Sequence, residues 1–299
     1  MSALPRRQRL DAELVRRGLA RSREHAAELV AAGRVSVSGA VAAKPATQVE
    51  ASAPVVVRDD AADAGWASRG AHKLLGALEA TGTPVAGRRC LDAGASTGGF
   101  TDVLLRAGAA SVVAVDVGYG QLLWRLQSDE RVQVLDRTNV RELVPEQVAP
   151  APDLVVADLS FISLRLVLPA LSGVAARDAD LLLMVKPQFE VGRERLGSGG
   201  VVRDPALREL AVRDVVAAAA VLGLRLHACA ASPLPGPSGN VEYFVHLRRG
   251  EPLPVEEVER VVRTAVAEGP VGGATVPAAP APAPAAASAV PAGAGGGAS

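Results

Sequence analysis

Lysine is nearly missing from this 299-residue chain: of 32 basic residues only Lys44, Lys73 and Lys186 are lysines. An arginine preference on the surface needs no special explanation, but the places where lysine survives do. An ammonium can lose its proton and act as a base, which a guanidinium cannot, so Lys73 and Lys186 are candidates for chemistry. Cysteine is equally scarce. Cys90 and Cys229 lie in apolar, strand-like stretches without metal-ligand spacing, which predicts buried free thiols and no metal site. No apolar run is long enough to span a bilayer, and the first twenty residues are arginine-rich rather than signal-like, so a cytoplasmic protein without a membrane partner is expected. Net charge is absent too, at a formal value of zero.

That zero hides an asymmetry. Residues 1–58 carry ten Lys+Arg against five Asp+Glu, and the other 241 carry 22 against 27. A basic N-terminal handle on a larger acidic body suggests nucleic-acid binding attached to catalysis. In the handle, residues 8–20 place Leu10, Leu14 and Val15 on one helical face. A second helix is expected from a Ser22 cap to Ala32, stopped by Gly33. Val35–Val37 and Val41 around Ser38-Gly39 suggest a hairpin, with a further strand at Val55–Val57.

The body is organised around Leu91-Asp92-Ala93-Gly94-Ala95-Ser96-Thr97-Gly98-Gly99-Phe100, which reads as strand, tight loop and helix. Glycines let backbone approach a ligand closely, and the free N–H groups of the helix start face it. The next strand, Ser111–Val115, ends in Asp116, a carboxylate placed to take two ribose hydroxyls. Asp92 would repel a pyrophosphate but welcome the ammonium of S-adenosylmethionine. A methyl-donor site is therefore the first reading and a dinucleotide site the second.

Strands are expected near 89–93, 111–116, 132–136, 153–158, 181–186, 225–231 and 241–248, with helices between them, the longest from Pro205 to Leu222. This alternation predicts an α/β, doubly wound, Rossmann-like sheet with one reversed strand. Ligands bind such sheets at the carboxyl edge of the parallel strands. Asp158 and Lys186 each end a strand there, Glu242 opens the reversed one, and Lys73 starts the helix before the first strand. Two ammoniums alternating with two carboxylates suit the alignment and deprotonation of a weakly acidic hydroxyl.

Longer motifs carry a family resemblance. Ser68-Arg69-Gly70-Ala71-His72-Lys73-Leu74, the stretch from Asp92 to Thr101, Val115-Asp116-Val117-Gly118-Tyr119-Gly120-Gln121-Leu122, Ala157 to Leu164, Val185 to Glu190 and Gly236 to Tyr243 resemble the hemolysin A/TlyA family of S4-domain ribosomal RNA 2′-O-methyltransferases. The resemblance implies an S4 RNA-binding domain at 6–58 and an FtsJ-like methyltransferase domain that binds S-adenosylmethionine at 66–268. By composition the polar stretch 59–65 reads as a linker, and the charge-free Ala/Pro/Gly run at 269–299 as a disordered tail outside the resemblance. The resemblance also implies the catalytic set Lys73, Asp158, Lys186 and Glu242. Asp92, Gly94, Ser96, Thr97, Gly98, Gly99, Phe100, Asp116, Asp136, Asn139 and Asp158 would hold the cofactor. Arg6, Arg21, Arg23, Arg34 and Lys44 would meet RNA phosphates, and the partner would be ribosomal RNA or ribosomal subunits, with cytidine the methylated nucleoside. Asp136 stands where the family usually has glutamate.

Three rivals stand beside this reading, a base methyltransferase being the nearest and the other two coming from different classes. A membrane-active hemolysin would need a long amphipathic or apolar segment, and Val215–Leu224 is short. A base methyltransferase acting on an exocyclic amine would show Asn/Asp-Pro-Pro-Tyr where this chain has Asp158-Leu159-Ser160-Phe161. A non-catalytic assembly factor would have no use for the four converging charges.

Overall fold

The computed structural model describes residues 7–17, 19–20, 22–50, 53–57 and 65–269. The N-terminal part comprises β1 (Arg7–Arg9), α1 (Leu10–Arg16), α2 (Arg23–Ala31), β2 (Val35–Val37), β3 (Ala40–Val41), β4 (Gln48–Glu50) and β5 (Val55–Val57). Leu10, Leu14, Ala26, Leu29, Val30, Val35 and Val49 form its core. The α2 helix starts as expected, with the Ser22 hydroxyl accepting from the His25 N–H. The α1 helix starts two residues later than its apolar period suggested, because Arg7–Arg9 pairs antiparallel with Gln48–Glu50. That strand of three polar residues offers no apolar alternation by which to find it.

The larger part runs α3 (Gly70–Thr81), β6 (Arg89–Ala93), α4 (Gly99–Arg106), β7 (Ser111–Val115), α5 (Trp124–Gln127), β8 (Val132–Leu135), β9 (Leu154–Ala157) and α6 (Leu164–Val174). It continues with β10 (Asp180–Val185), α7 (Pro187–Glu190), α8 (Pro205–Val221), β11 (Leu224–Ala231), β12 (Tyr243–Arg249) and α9 (Val255–Glu268). Seven strands make one sheet in the order β11-β12-β10-β9-β6-β7-β8. The β12 strand alone is antiparallel to its neighbours, β10 and β11. The α/β sheet with one reversed strand, preceded by a small α+β unit, is therefore the architecture of this protein. Both faces of its central strands are buried, and they read as aliphatic runs such as Leu181–Val185.

Strand order reverses between β6 and β9, which run parallel side by side. At this switch point the chain leaves β6 through Gly94 and β9 through Asp158, which opens a crevice at the carboxyl edge. Gly94 is left-handed, at φ +87°, and a Cβ there would lie 2.6 Å from the Asp158 carbonyl oxygen. The close approach of the two loops thus requires glycine.

Candidate active site

The crevice is a cavity of about 580 Å³, within the range of small-molecule sites. Gly94, Ala95, Ser96, Thr97, Gly99 and Phe100 line one side, Asp116, Thr138 and Asn139 another, and Lys73, Asp158 and Lys186 a third. The Asp116 carboxylate is fixed by backbone donors: Oδ2 accepts from Ser96 N–H at 2.8 Å and Oδ1 from Gly118 N–H at 2.7 Å. Asp116 lines the cavity and each of its oxygens can accept a further hydrogen bond, which suits a pair of ribose hydroxyls. Ser96 itself is left-handed, at φ +47°. Glycines at the wall and a carboxylate held by backbone N–H groups fit the nucleoside of S-adenosylmethionine.

Three expected cofactor residues sit elsewhere. Asp92 is fully buried beneath the glycine loop, where its Oδ2 accepts from the Thr101 hydroxyl at 2.6 Å, and it does not reach the cavity wall. Burial pushes its carboxyl up to about 7; Thr101 opposes the shift, and the neighbouring Asp158 and Asp116 add to it. Gly98, at φ +98°, is packed against Leu122 and Leu126. Asp136 accepts from the Gly120 N–H at 2.9 Å and shapes the loop that follows Asp116. Asp92 and Gly98 are buried behind the cavity wall, Asp92 because the strand register turns it into the sheet, whereas Asp136 is half-exposed beside it.

The four charges meet. Lys73 Nζ lies 2.6 Å from Glu242 Oε2, and Lys186 Nζ lies 2.6 Å from Asp158 Oδ1 and 3.0 Å from Ser160 Oγ. Lys73, Lys186 and Glu242 are buried, and Glu242 stands behind Lys73 rather than on the wall. Burial opposes ionisation of Asp158, yet the Lys186 and Lys73 ammoniums outweigh it and hold its carboxyl below the ordinary range. Glu242 is admitted because position 236 is glycine: a Cβ there would lie 2.6 Å from its Oε1.

Sequence reasoning missed several wall residues, among them Ser160, Gln121, Phe161 and Pro237. Phe161 is 92% exposed, is left-handed at φ +65°, and rests against Phe189 with ring centroids 5.5 Å apart. A bulky residue in that conformation is strained, and no sequence pattern announces it.

The RNA-binding set divides. Arg6 and Arg21 lie outside the described residues, as do nearly all of the linker and tail. Lys44 is exposed and Arg34 half-buried. Arg23 is exposed but sits 3.1 Å from Asp11, which also holds Arg9, and Arg16 and Arg17 both bind the buried Glu13. These pairings lower the Asp11 and Glu13 carboxyls to about 2, with the hydrogen bonds from Arg9 and Arg16 as the largest respective causes. Much of the basic excess of the handle is thereby committed within it.

No helix among the described residues is long and apolar enough to cross a membrane. Cys90 and Cys229 are free thiols.

Residues 66–249 match the FtsJ-like methyltransferase family and residues 8–55 the S4 domain. The 16S/23S rRNA (cytidine-2′-O)-methyltransferase TlyA of Mycobacterium tuberculosis is 60% identical over 269 residues, 89% of this chain and all of that one. Hemolysin A of Brachyspira hyodysenteriae is 34% identical over 239 residues, 80% of this chain and 98% of that one. A solved structure from Streptococcus thermophilus, titled as a suspected hemolysin, superposes with a TM-score of 0.69 at 36% identity. It covers 89% of this chain and 98% of that one.

Proposed function

We infer the reaction of this chain from its family: it belongs to the FtsJ-like methyltransferases and is an enzyme of that class. The reading we propose is transfer of a methyl group from S-adenosylmethionine to the 2′-hydroxyl of a cytidine ribose in ribosomal RNA. The observation that carries it is the two ion pairs, Lys73–Glu242 buried and Lys186–Asp158 half-buried, at a cavity that also holds the glycine loop and Asp116.

The cofactor supplies an electrophilic methyl group on a sulfonium. Gly94, Ser96, Thr97, Gly99, Phe100, Asp116 and Asn139 are assigned to hold it, with Asp92 and Gly98 supporting that wall from behind and Asp136 shaping the loop after Asp116. Methyl transfer of this kind is an in-line displacement, so the protein must orient the attacking hydroxyl and take its proton. Lys186 is assigned as the base. Asp158 stays ionised, fixes the Lys186 amine by a 2.6 Å contact, and stabilises the ammonium once the proton has moved. Lys73, steadied by Glu242, places the ribose or its phosphate. Residues 6–58 are assigned to RNA docking and 66–268 to catalysis, with Arg34 and Lys44 the described cations of the handle that bear on phosphate. A ribosomal RNA substrate places this work where ribosomes are made and used.

The test is product analysis. Purified protein, methyl-labelled cofactor and unmodified ribosomal subunits are incubated, and the RNA is digested to nucleosides. The expected product is 2′-O-methylcytidine; label confined to a base, or to no nucleoside, would overturn the reading.

A further inference from the structure

Between α7 and α8 the chain crosses the carboxyl edge as a loop, Val191-Gly192-Arg193-Glu194-Arg195-Leu196-Gly197 and onward to Arg203, with three arginines to one glutamate. Both of its ends are fastened at the rim of the cavity. At the near end, Glu190 accepts from Ser163 Oγ at 2.6 Å, from Leu164 N–H at 2.7 Å and from Arg165 Nε at 3.2 Å. The adjoining Phe189 carries Phe161 on the cavity wall. At the far end stands Asn240, only 2% exposed. Its Oδ1 accepts from Val202 N–H at 2.9 Å, its Nδ2 donates to the Gly200 carbonyl at 3.0 Å, and its own carbonyl accepts from Gly236 N–H at 2.8 Å. Asn240 lies two residues from Glu242 and three from Pro237, which lines the cavity.

The loop is also held from beneath. Val191, Val202 and Ala211 are buried together, with Leu196 and Leu207 packed on them. A short 3-10 turn, Arg193–Arg195, stands above this patch, and both arginines are exposed. Among the described residues neither takes part in an ion pair, not even with Glu194 between them. They contrast with Arg16, Arg17 and Arg23, which their own domain has neutralised. Two uncommitted guanidiniums on a fastened loop beside a nucleoside site suit the charge of a nucleic-acid backbone.

We propose that residues 191–203 form an arginine strap that grips phosphates of the RNA strand entering the cavity, and that Asn240 is the positioning residue that holds the strap at the rim. This rests on the RNA methylation reading above and extends it to a second phosphate-binding element, outside the S4 domain. A mobile loop would lose entropy on binding; the Asn240 bonds and the Leu196 anchor remove much of that cost beforehand.

The experiment uses the full chain with unmodified 30S and 50S subunits as probes. The Arg193→Ala/Arg195→Ala variant should bind the accepted subunit roughly 3- to 30-fold more weakly, as expected for two exposed charge contacts. Its salt dependence should fall by about one to two in log–log slope. Cofactor affinity and the rate at saturating RNA should not change. Asn240→Ala should raise the KM for RNA while leaving that for the cofactor, and should quicken tryptic cleavage after Arg193 and Arg195. Wild-type affinity and slope in the double variant, with the wild-type protein active, would overturn the strap and leave the methylation reading standing. A wild-type protein that methylates neither subunit would overturn both.

Discussion

Lys73 and Glu242, 169 residues apart in sequence, meet at 2.6 Å with both side chains buried. The contact joins the start of α3 to the start of β12 and exists only because β12 runs against its neighbours. Removing one partner leaves an uncompensated buried charge, which costs about 3–5 kcal/mol. Lys73→Met and Glu242→Gln should therefore each destabilise the protein in urea titrations and abolish methyl transfer. The double variant should cost clearly less than the sum of the two. Additive losses would mean that the two residues act separately.

Gly94 sets the distance between the loops after β6 and β9. Gly94→Ala should destabilise by about 1–3 kcal/mol from the left-handed backbone alone. It should also push the Asp158 carbonyl away, weakening cofactor binding at least tenfold by calorimetry. Unchanged affinity would show that the crevice tolerates a wider opening.

Asp92 gives a pH signature. Its folded-state value of about 7 lies above the ordinary 3.8, so the folded protein keeps a proton that the unfolded chain releases. The contribution of this group to stability is full below about pH 4 and falls as pH rises toward 7, by up to about 4 kcal/mol. Asp92→Asn removes that slope. In urea unfolding without cofactor, the variant should gain on the wild type from pH 4.5 to about pH 7 and then level off; parallel curves would contradict the buried, protonated Asp92.

How much of this was legible in the sequence depends on the range of each interaction. The glycine loop, the aliphatic strands and the strand-end positions of Asp158 and Lys186 are local patterns, readable because a strand and its following loop lie within ten residues. Glu242 was reachable by one topological step, the reversal of the last strand. The β1–β4 pairing was not, since Arg7-Gln8-Arg9 has no apolar alternation. The burial of Asp92 was hidden because the same carboxylate could face a ligand or Thr101, and only the register decides. The ion pairs of the handle were likewise hidden: charge counts do not reveal that Asp11 and Glu13 hold four of its arginines.

The account turns on Lys186 taking the proton of a ribose hydroxyl. Lys186→Arg keeps the positive charge and its pairing with Asp158 but places a larger, planar group that cannot deprotonate at that position. The decisive measurement is a single-turnover rate with cofactor and ribosomal subunits both saturating, across a pH series. The account predicts that Lys186→Arg is nearly as inactive as Lys186→Ala, at least a hundredfold below wild type as befits loss of a general base. It also predicts that the wild-type rate climbs with pH. A near-normal rate of 2′-O-methylcytidine formation by Lys186→Arg would contradict it.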